Sequence, residues 1–327
     1  MSISRRTLLA ATAAAPLTAL LSRTAFAAYP DRSVRLVVPF AAGGNADFVA
    51  RLCGEGMGQA LGQSFVVESR PGAGGSLGAG EVARATPDGY TLLTASNGPM
   101  TVNPFVQAKL SYDPLKDFVA IGLANLAPHV IALHNSVPAK TLPELIALSK
   151  QKSVTIGTSG VGSATHMTLA RFNALTGANL THVPYRGGGA LVPDMLAGTI
   201  NGAMTEMATA LPHHNQGKIR ILVIASAKRL AQAPDVPTFI EGGVKDFTAA
   251  SYVGVAAPVK TPADIVSVLE KALMKALADK SAQEKFLKSG AELVPEALQT
   301  SKGFGQFIQQ DYERMKAAAQ FAGLKPE

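Results

Sequence analysis

Short apolar runs alternate with helical patterns along this chain, and a glycine-containing loop joins several of the runs to the helix that follows. Residues 34–39 (VRLVVP) are apolar and end at a proline, so they read as a buried strand. The loop 40–46 follows, and then Val49, Leu52, Cys53, Met57, Ala60 and Leu61 fall at helical spacing across residues 47–61. Residues 65–68 predict a second strand, 70–75 a loop, 76–85 a helix and 91–95 a third strand. Strand, loop and helix repeated in this way imply a parallel sheet with helices on both faces.

A second unit of the same kind begins with a strand at 130–134 and a helix at 141–151. It continues with a strand at 154–157, a loop at 158–163 and a helix to about Thr176. A strand at 181–184, a loop at 185–189, a helix at 190–198 and a strand at 219–225 complete it. Residues 253–257 form another apolar run, and only helical patterns come after it, at 262–279, 283–289 and about 303–322. Those last helices must bury apolar faces, and packing back onto the first unit is the simplest solution. The chain then crosses between two lobes near residues 124–130 and 249–255. The expected fold class is α/β, with two lobes, a cleft and two hinge crossings. Residues 28–127 plus 252–327 form lobe 1, and 128–251 form lobe 2.

The first 27 residues have a different character. Arg5 and Arg6 precede a short apolar stretch broken by Pro16, and Ala25-Phe26-Ala27 offers small residues two apart. These are the three parts of a secretory signal, cleaved here after Ala27. The stretch is too short to span a bilayer, which needs about 20 residues. Ser4-Arg5-Arg6-Thr7-Leu8-Leu9 is similar to a twin-arginine export signal, the other reading being a general secretory signal with two arginines. The expected location is the periplasm.

Loss of Arg5, Arg6 and Arg23 lowers the net charge from +7 to +4. No cluster of Lys and Arg interleaved with aromatics occurs, which excludes a nucleic-acid partner. Cys53 is the only cysteine and rules out an intramolecular disulfide; in its apolar pattern it reads as a buried structural thiol.

The loops carry the chemistry. Phe40-Ala41-Ala42-Gly43-Gly44-Asn45, Arg70-Pro71-Gly72-Ala73-Gly74-Gly75, Thr158-Ser159-Gly160-Val161-Gly162-Ser163 and Tyr185-Arg186-Gly187-Gly188-Gly189 each follow a strand. In an open α/β sheet such loops lie at the carboxyl ends of the strands, where ligands bind. Each opens a helix whose free N–H groups and partial positive charge suit an anion. Arg186 is the candidate for a direct charge-assisted contact, or else for a surface ion pair. Enzyme motifs fail: 157–161 lacks the final glycine of a nucleophile elbow, and no phosphate loop or metal-ligand spacing is present. A hydrolase using Ser159 and His166 is the remaining enzymatic rival.

The whole chain after residue 28 resembles the Bug family, the extracytoplasmic solute-binding receptors of tripartite tricarboxylate transporters. The resemblance rests on Gly43-Gly44 with Asp47, Glu68-Ser69-Arg70-Pro71-Gly72-Ala73-Gly74-Gly75 and Pro87-Asp88-Gly89-Tyr90-Thr91-Leu92. Asn103-Pro104, Tyr112-Asp113-Pro114, Val183-Pro184-Tyr185-Arg186-Gly187 and Pro234-Asp235-Val236-Pro237-Thr238 extend it. It implies a periplasmic-binding-protein-like fold of type II and a receptor with no catalytic residue, cofactor or metal. The implied ligand is a small carboxylate: a di- or tricarboxylate, an acidic amino acid or an aromatic acid. The implied partners are the membrane permease subunits, with a monomeric receptor that either feeds transport or signals to a sensor kinase. By the same resemblance Phe40, Ala41, Gly43, Gly44 and Asn45 grip a carboxylate from one lobe. Ser159, Gly160, Ser163, Tyr185, Arg186 and Gly187 face it from the other, and Thr205 shapes the far end. Many members carry Asp-Asn where Thr205 and Glu206 align here. The uncharged Thr205 removes a partner for an α-amino group, and Glu206 either points to solvent or restores the acid one residue later.

Overall fold

The computed structural model describes residues 29–321 and residue 326. The proposed signal and its cleavage point therefore lie outside the described residues. The first lobe opens with β1 (Val34–Val38), α1 (Asn45–Leu61), β2 (Phe65–Ser69), α2 (Ser76–Ala83), β3 (Thr91–Ser96) and the short α3 (Asn103–Val106). The long β4 (Phe118–His134) leads into α4 (Leu142–Gln151), β5 (Val154–Thr158), α5 (Ala164–Thr176), β6 (Leu180–Pro184) and α6 (Gly188–Ala197). After these come β7 (Gly202–Glu206), α7 (Met207–Asn215), β8 (Ile219–Ile224) and β9 (Ala250–Pro258). The chain closes with α8 (Ala263–Ala278), α9 (Lys280–Lys288) and α10 (Ser301–Phe321).

Strands β2, β1 and β3 pair in parallel, and β9 joins β3 and β4 antiparallel. β4 runs beside β9 from the Phe118–Pro258 pair to the Pro128–Ala250 pair. From His129 onward it pairs instead with β7 and, from Val130, with β8, while β5 lies parallel to β7 and β6. One strand thus belongs to two sheets and changes partners at Pro128, a residue that has no N–H to donate to a ladder. The sheets form the bases of two lobes.

Strand alternation puts side chains on opposite faces of each sheet. Val34, Leu36 and Val38 join one core with α1 and α8, whereas Val37 joins Leu93, Ala95 and Ala256 beneath α2 and α10. In the second lobe Ile131 and Leu133 pack with Phe172 and Phe239, and Val130 and Ala132 with Leu191 and Met207. The expected α/β fold with both sheet faces covered is what forms. The closing helices do return to the first lobe: Leu269, Leu273 and Ala276 of α8 pack with Val49, Leu52 and Cys53 of α1. Cys53 is buried, and burial pushes its thiol up to about 12.

Several segments differ from the sequence-based expectation, α3 among them, which was not expected. β4 begins 12 residues before the predicted strand at 130, because Gly122, Asn125 and Pro128 interrupt the apolar pattern there. β7 and α7 were not expected as elements. The β7 sequence Gly202-Ala203-Met204-Thr205-Glu206 has low strand propensity, and burial of all five residues overrides it.

Candidate functional site

Three helices start at the cleft. α1 begins after Gly44, α5 after Ser163 and α6 after Gly187. No side chain caps α1 or α6, so their first N–H groups have no partner within the helix. In α5 the Ser163 hydroxyl accepts from the His166 N–H at 3.1 Å and fixes the helix start. The three N-terminal poles together favour an anion between them.

The starts of α1 and α6 face each other from opposite lobes. Ala41 N donates to the Arg186 carbonyl at 2.8 Å across the cleft. A Cβ at Gly44 would lie 3.0 Å from Gly189 N, and one at Gly189 would overlap the Ala42 carbonyl oxygen. Gly187 has φ +136, outside the range that other residues readily take. These positions need glycine because the lobes meet backbone to backbone, and the cleft is closed.

Among the described residues two neighbouring cavities lie at the closed cleft. The smaller, about 30 Å³, is lined by Phe40, Ala41, Gly44, Asn45, Ser159 and Ser163 of the expected residues. Ala46, Ser96, Asn97, Gly98, Ala164 and Gly188 add to it, with Glu206, Ser251, Tyr252 and Val253. Among the described residues its lining contains no Lys or Arg. Asn45 Oδ1 and Ser96 Oγ face burial without a partner among the described residues, a cost that calls for an explanation in a native site. The larger cavity, about 250 Å³, lies beside it and shares Phe40 and Ser159. Gly160, Tyr185 and Arg186 line it together with residues 72–75.

The expected residues therefore divide. Arg186 is exposed and lines the larger cavity but not the smaller one. Gly43, Gly187 and Thr205 line neither cavity and act on their neighbours. Gly43 N donates to Asp47 Oδ2 at 3.0 Å, and Thr205 Oγ1 donates to Glu206 Oε2 at 3.2 Å. Sequence reasoning missed Ser96, Asn97 and Ser251, because none sits in one of the four glycine loops. Asn97 and Ser96 could have been found as the polar end of an otherwise apolar strand.

Glu206 points inward. Its carboxyl is buried, and Ser251 Oγ lies 2.9 Å from Oε1. Ser251 Oγ in turn lies 2.8 Å from His129 Nε2, and His129 Nδ1 lies 2.8 Å from Thr168 Oγ1. Burial pushes the Glu206 carboxyl above the usual carboxylate range and the His129 imidazole down to about 3. No hydrogen bond joins Ser159 to His166 among the described residues. His166 Nδ1 instead accepts from Gly162 N at 3.3 Å, and its ring stacks on His182 at 4.2 Å. The Ser159–His166 contact that a hydrolase built on this pair needs is not formed among the described residues.

A two-lobed α/β fold that closes on a cavity lined by Asn, Ser and Glu side chains together with helix starts defines a solute-binding protein. The family described as tripartite tricarboxylate transporter family receptor matches residues 49–324, and the chain belongs to it. Its members are receptors, not enzymes. Protein BugT of Bordetella pertussis is 32% identical over 300 residues, covering 91% of each chain. The structure of MatC from Rhodopseudomonas palustris with bound malate superposes with TM-score 0.85 at 32% identity, covering 89% of this chain and all of that one. A second R. palustris protein, solved with adipate, gives TM-score 0.87 at 30% identity over 91% of this chain and all of that one. Among the described residues no helix is long and apolar enough to cross a membrane.

Proposed function

We propose that this receptor works in the periplasm, captures a small organic carboxylate between its lobes and delivers it as a monomer to the permease subunits of a tripartite transporter. The observation that carries this reading is the convergence of the α1, α5 and α6 N-termini on the smaller cavity of the cleft, whose lining among the described residues has no basic side chain. Backbone N–H groups and helix poles there hold a carboxylate without a counter-charge. The lobes are residues 28–127 plus 252–327 and residues 128–251, moving about the paired strands β4 and β9. The ligands of the two R. palustris structures support the same class.

A thermal-shift panel of malate, adipate, benzoate and aspartate on the mature chain tests the reading. A ligand at 100 times its dissociation constant stabilises by about 2.7 kcal/mol. No shift with any of them at millimolar concentration contradicts the carboxylate reading.

Arg186 at the cleft mouth then acts by attraction at a distance. Arg186→Ala is expected to slow association several-fold at low salt and to leave dissociation nearly unchanged, the difference shrinking as salt screens the charge. Stopped-flow binding at two salt concentrations checks this. A large rise in the dissociation rate would make Arg186 a direct ligand contact instead.

A further inference from the structure

Among the described residues Glu206 is the only carboxylate that lines the smaller cavity, and it stands where three helix N-termini invite an anion. A Cβ built on Gly188 would lie 3.3 Å from Glu206 Oε2, so the carboxyl faces the first turn of α6. An ionised Glu206 and an ionised ligand would share one small site. Two like charges so placed cannot both persist at full charge, and the protein lets one of them take a proton.

The hydrogen-bond chain behind Glu206 is built for either state. With Glu206 ionised, Ser251 donates to Oε1, His129 Nε2–H donates to Ser251, and Thr168 donates to His129 Nδ1. With Glu206 protonated, its O–H donates to Ser251 and Ser251 donates to His129 Nε2. His129 Nδ1–H then donates to Thr168, whose hydroxyl turns to the Ala164 carbonyl 2.9 Å away. Each link keeps a donor and an acceptor, and His129 stays neutral by changing tautomer. Ser251 stands on β9 and His129 on β4, the two strands that run between the lobes.

The other elements packed here bring no competing charge. Thr205 and Thr209 come from β7 and α7, Asn45 from α1, and Ser163 and Thr168 from α5. Asp47 on α1 is engaged by Arg51 at 3.0 Å. His129 is the titratable group that faces Glu206, through Ser251. Tyr252 also lines the cavity, and its phenol is held protonated by burial.

We propose that Glu206 sets the ligand class of this cleft by taking up one proton from solvent for each carboxylate captured, which selects acids without an ammonium group. An ammonium-bearing acid would instead need Glu206 ionised. The inference rests on the carboxylate reading above. The sign follows from linkage: a group that binds its proton more tightly in the complex strengthens binding below its free value. That gain is lost as pH rises towards its value in the complex.

Calorimetric titration of the mature receptor with malate, adipate and aspartate between pH 6 and 8.5 tests it. Malate or adipate affinity should fall up to tenfold per pH unit across part of this range, and aspartate should bind more weakly than malate. Binding heats in buffers of different ionisation enthalpy should report uptake of close to one proton there. In Glu206→Gln the pH dependence and the proton uptake should both vanish, with tight binding kept at pH 8.5. The buffer comparison needs only the wild-type chain, so it stands even if the variant misfolds. Binding that is flat with pH and takes up no proton overturns the inference and leaves the carboxylate reading intact. Tighter binding of aspartate than of malate also overturns it. No binding of any acid at any pH overturns the carboxylate reading and this inference with it.

Discussion

Gly189→Ala is expected to abolish ligand capture while leaving the unliganded protein folded. The added methyl would overlap the Ala42 carbonyl oxygen across the cleft. Ala42 follows β1 in the first lobe, and Gly189 lies in the first turn of α6 in the second. The clash therefore arises only when the lobes close. It opposes the 2.8 Å bond from Ala41 N to the Arg186 carbonyl and separates the two helix starts that must share one carboxylate. A ligand shifts an open–closed equilibrium only by its differential affinity for the closed state, so removing that state removes the affinity. The dissociation constant should rise at least about 100-fold, and stabilisation at a fixed ligand concentration should drop from about 2.7 to about 0.4 kcal/mol. The unliganded melting temperature should change little. Tight binding retained by Gly189→Ala would show that ligand is held without this closure.

The second large effect concerns the end of the chain. Phe304 of α10 is fully buried against β9, with its ring 5.9 Å from Tyr252 and 6.5 Å from Phe307. A Cβ on Gly254 would press into that ring, so strand and helix are matched in shape here. Phe304→Ala should cost about 3–5 kcal/mol, the lost burial plus the cavity left behind. Denaturant unfolding should show a lower midpoint. A cost under about 1 kcal/mol would mean that α10 is not part of the first lobe's core. The residues that make this cost large are far in sequence from β1 to β3, which is why the sequence could suggest the return of these helices but not their contacts.

The parts of the fold legible in sequence are those where local signals agree with the final environment. Thr141-Leu142-Pro143-Glu144 announces the start of α4, and the Thr141 hydroxyl does accept from Glu144 N at 3.3 Å. The apolar run of β1 reads as a buried strand because both of its faces are covered. β7 was hidden because its residues favour no strand on their own, and only pairing with β4 and β5 makes it one. The glycine loops point to the cleft because helix starts need no long-range information. Ser96, Asn97 and Ser251 were not legible, since their roles come from β3 and β9 meeting edge to edge. For Glu206 the sequence alone allows either solvent or pocket. Its inward course follows from the register of β7 against β4, where it stands opposite His129.

On the function proposed above, a carboxylate sits on the N-termini of α1, α5 and α6 in the closed cleft. A crystal structure of the mature receptor with a bound carboxylate tests it most directly. Carboxylate oxygens are expected within about 2.7–3.2 Å of backbone N–H groups in the first turns of these helices, or one ordered water away. Arg186 is expected at the mouth, without a direct contact. A ligand seated in the larger cavity against Arg186, with the helix starts untouched, would contradict it.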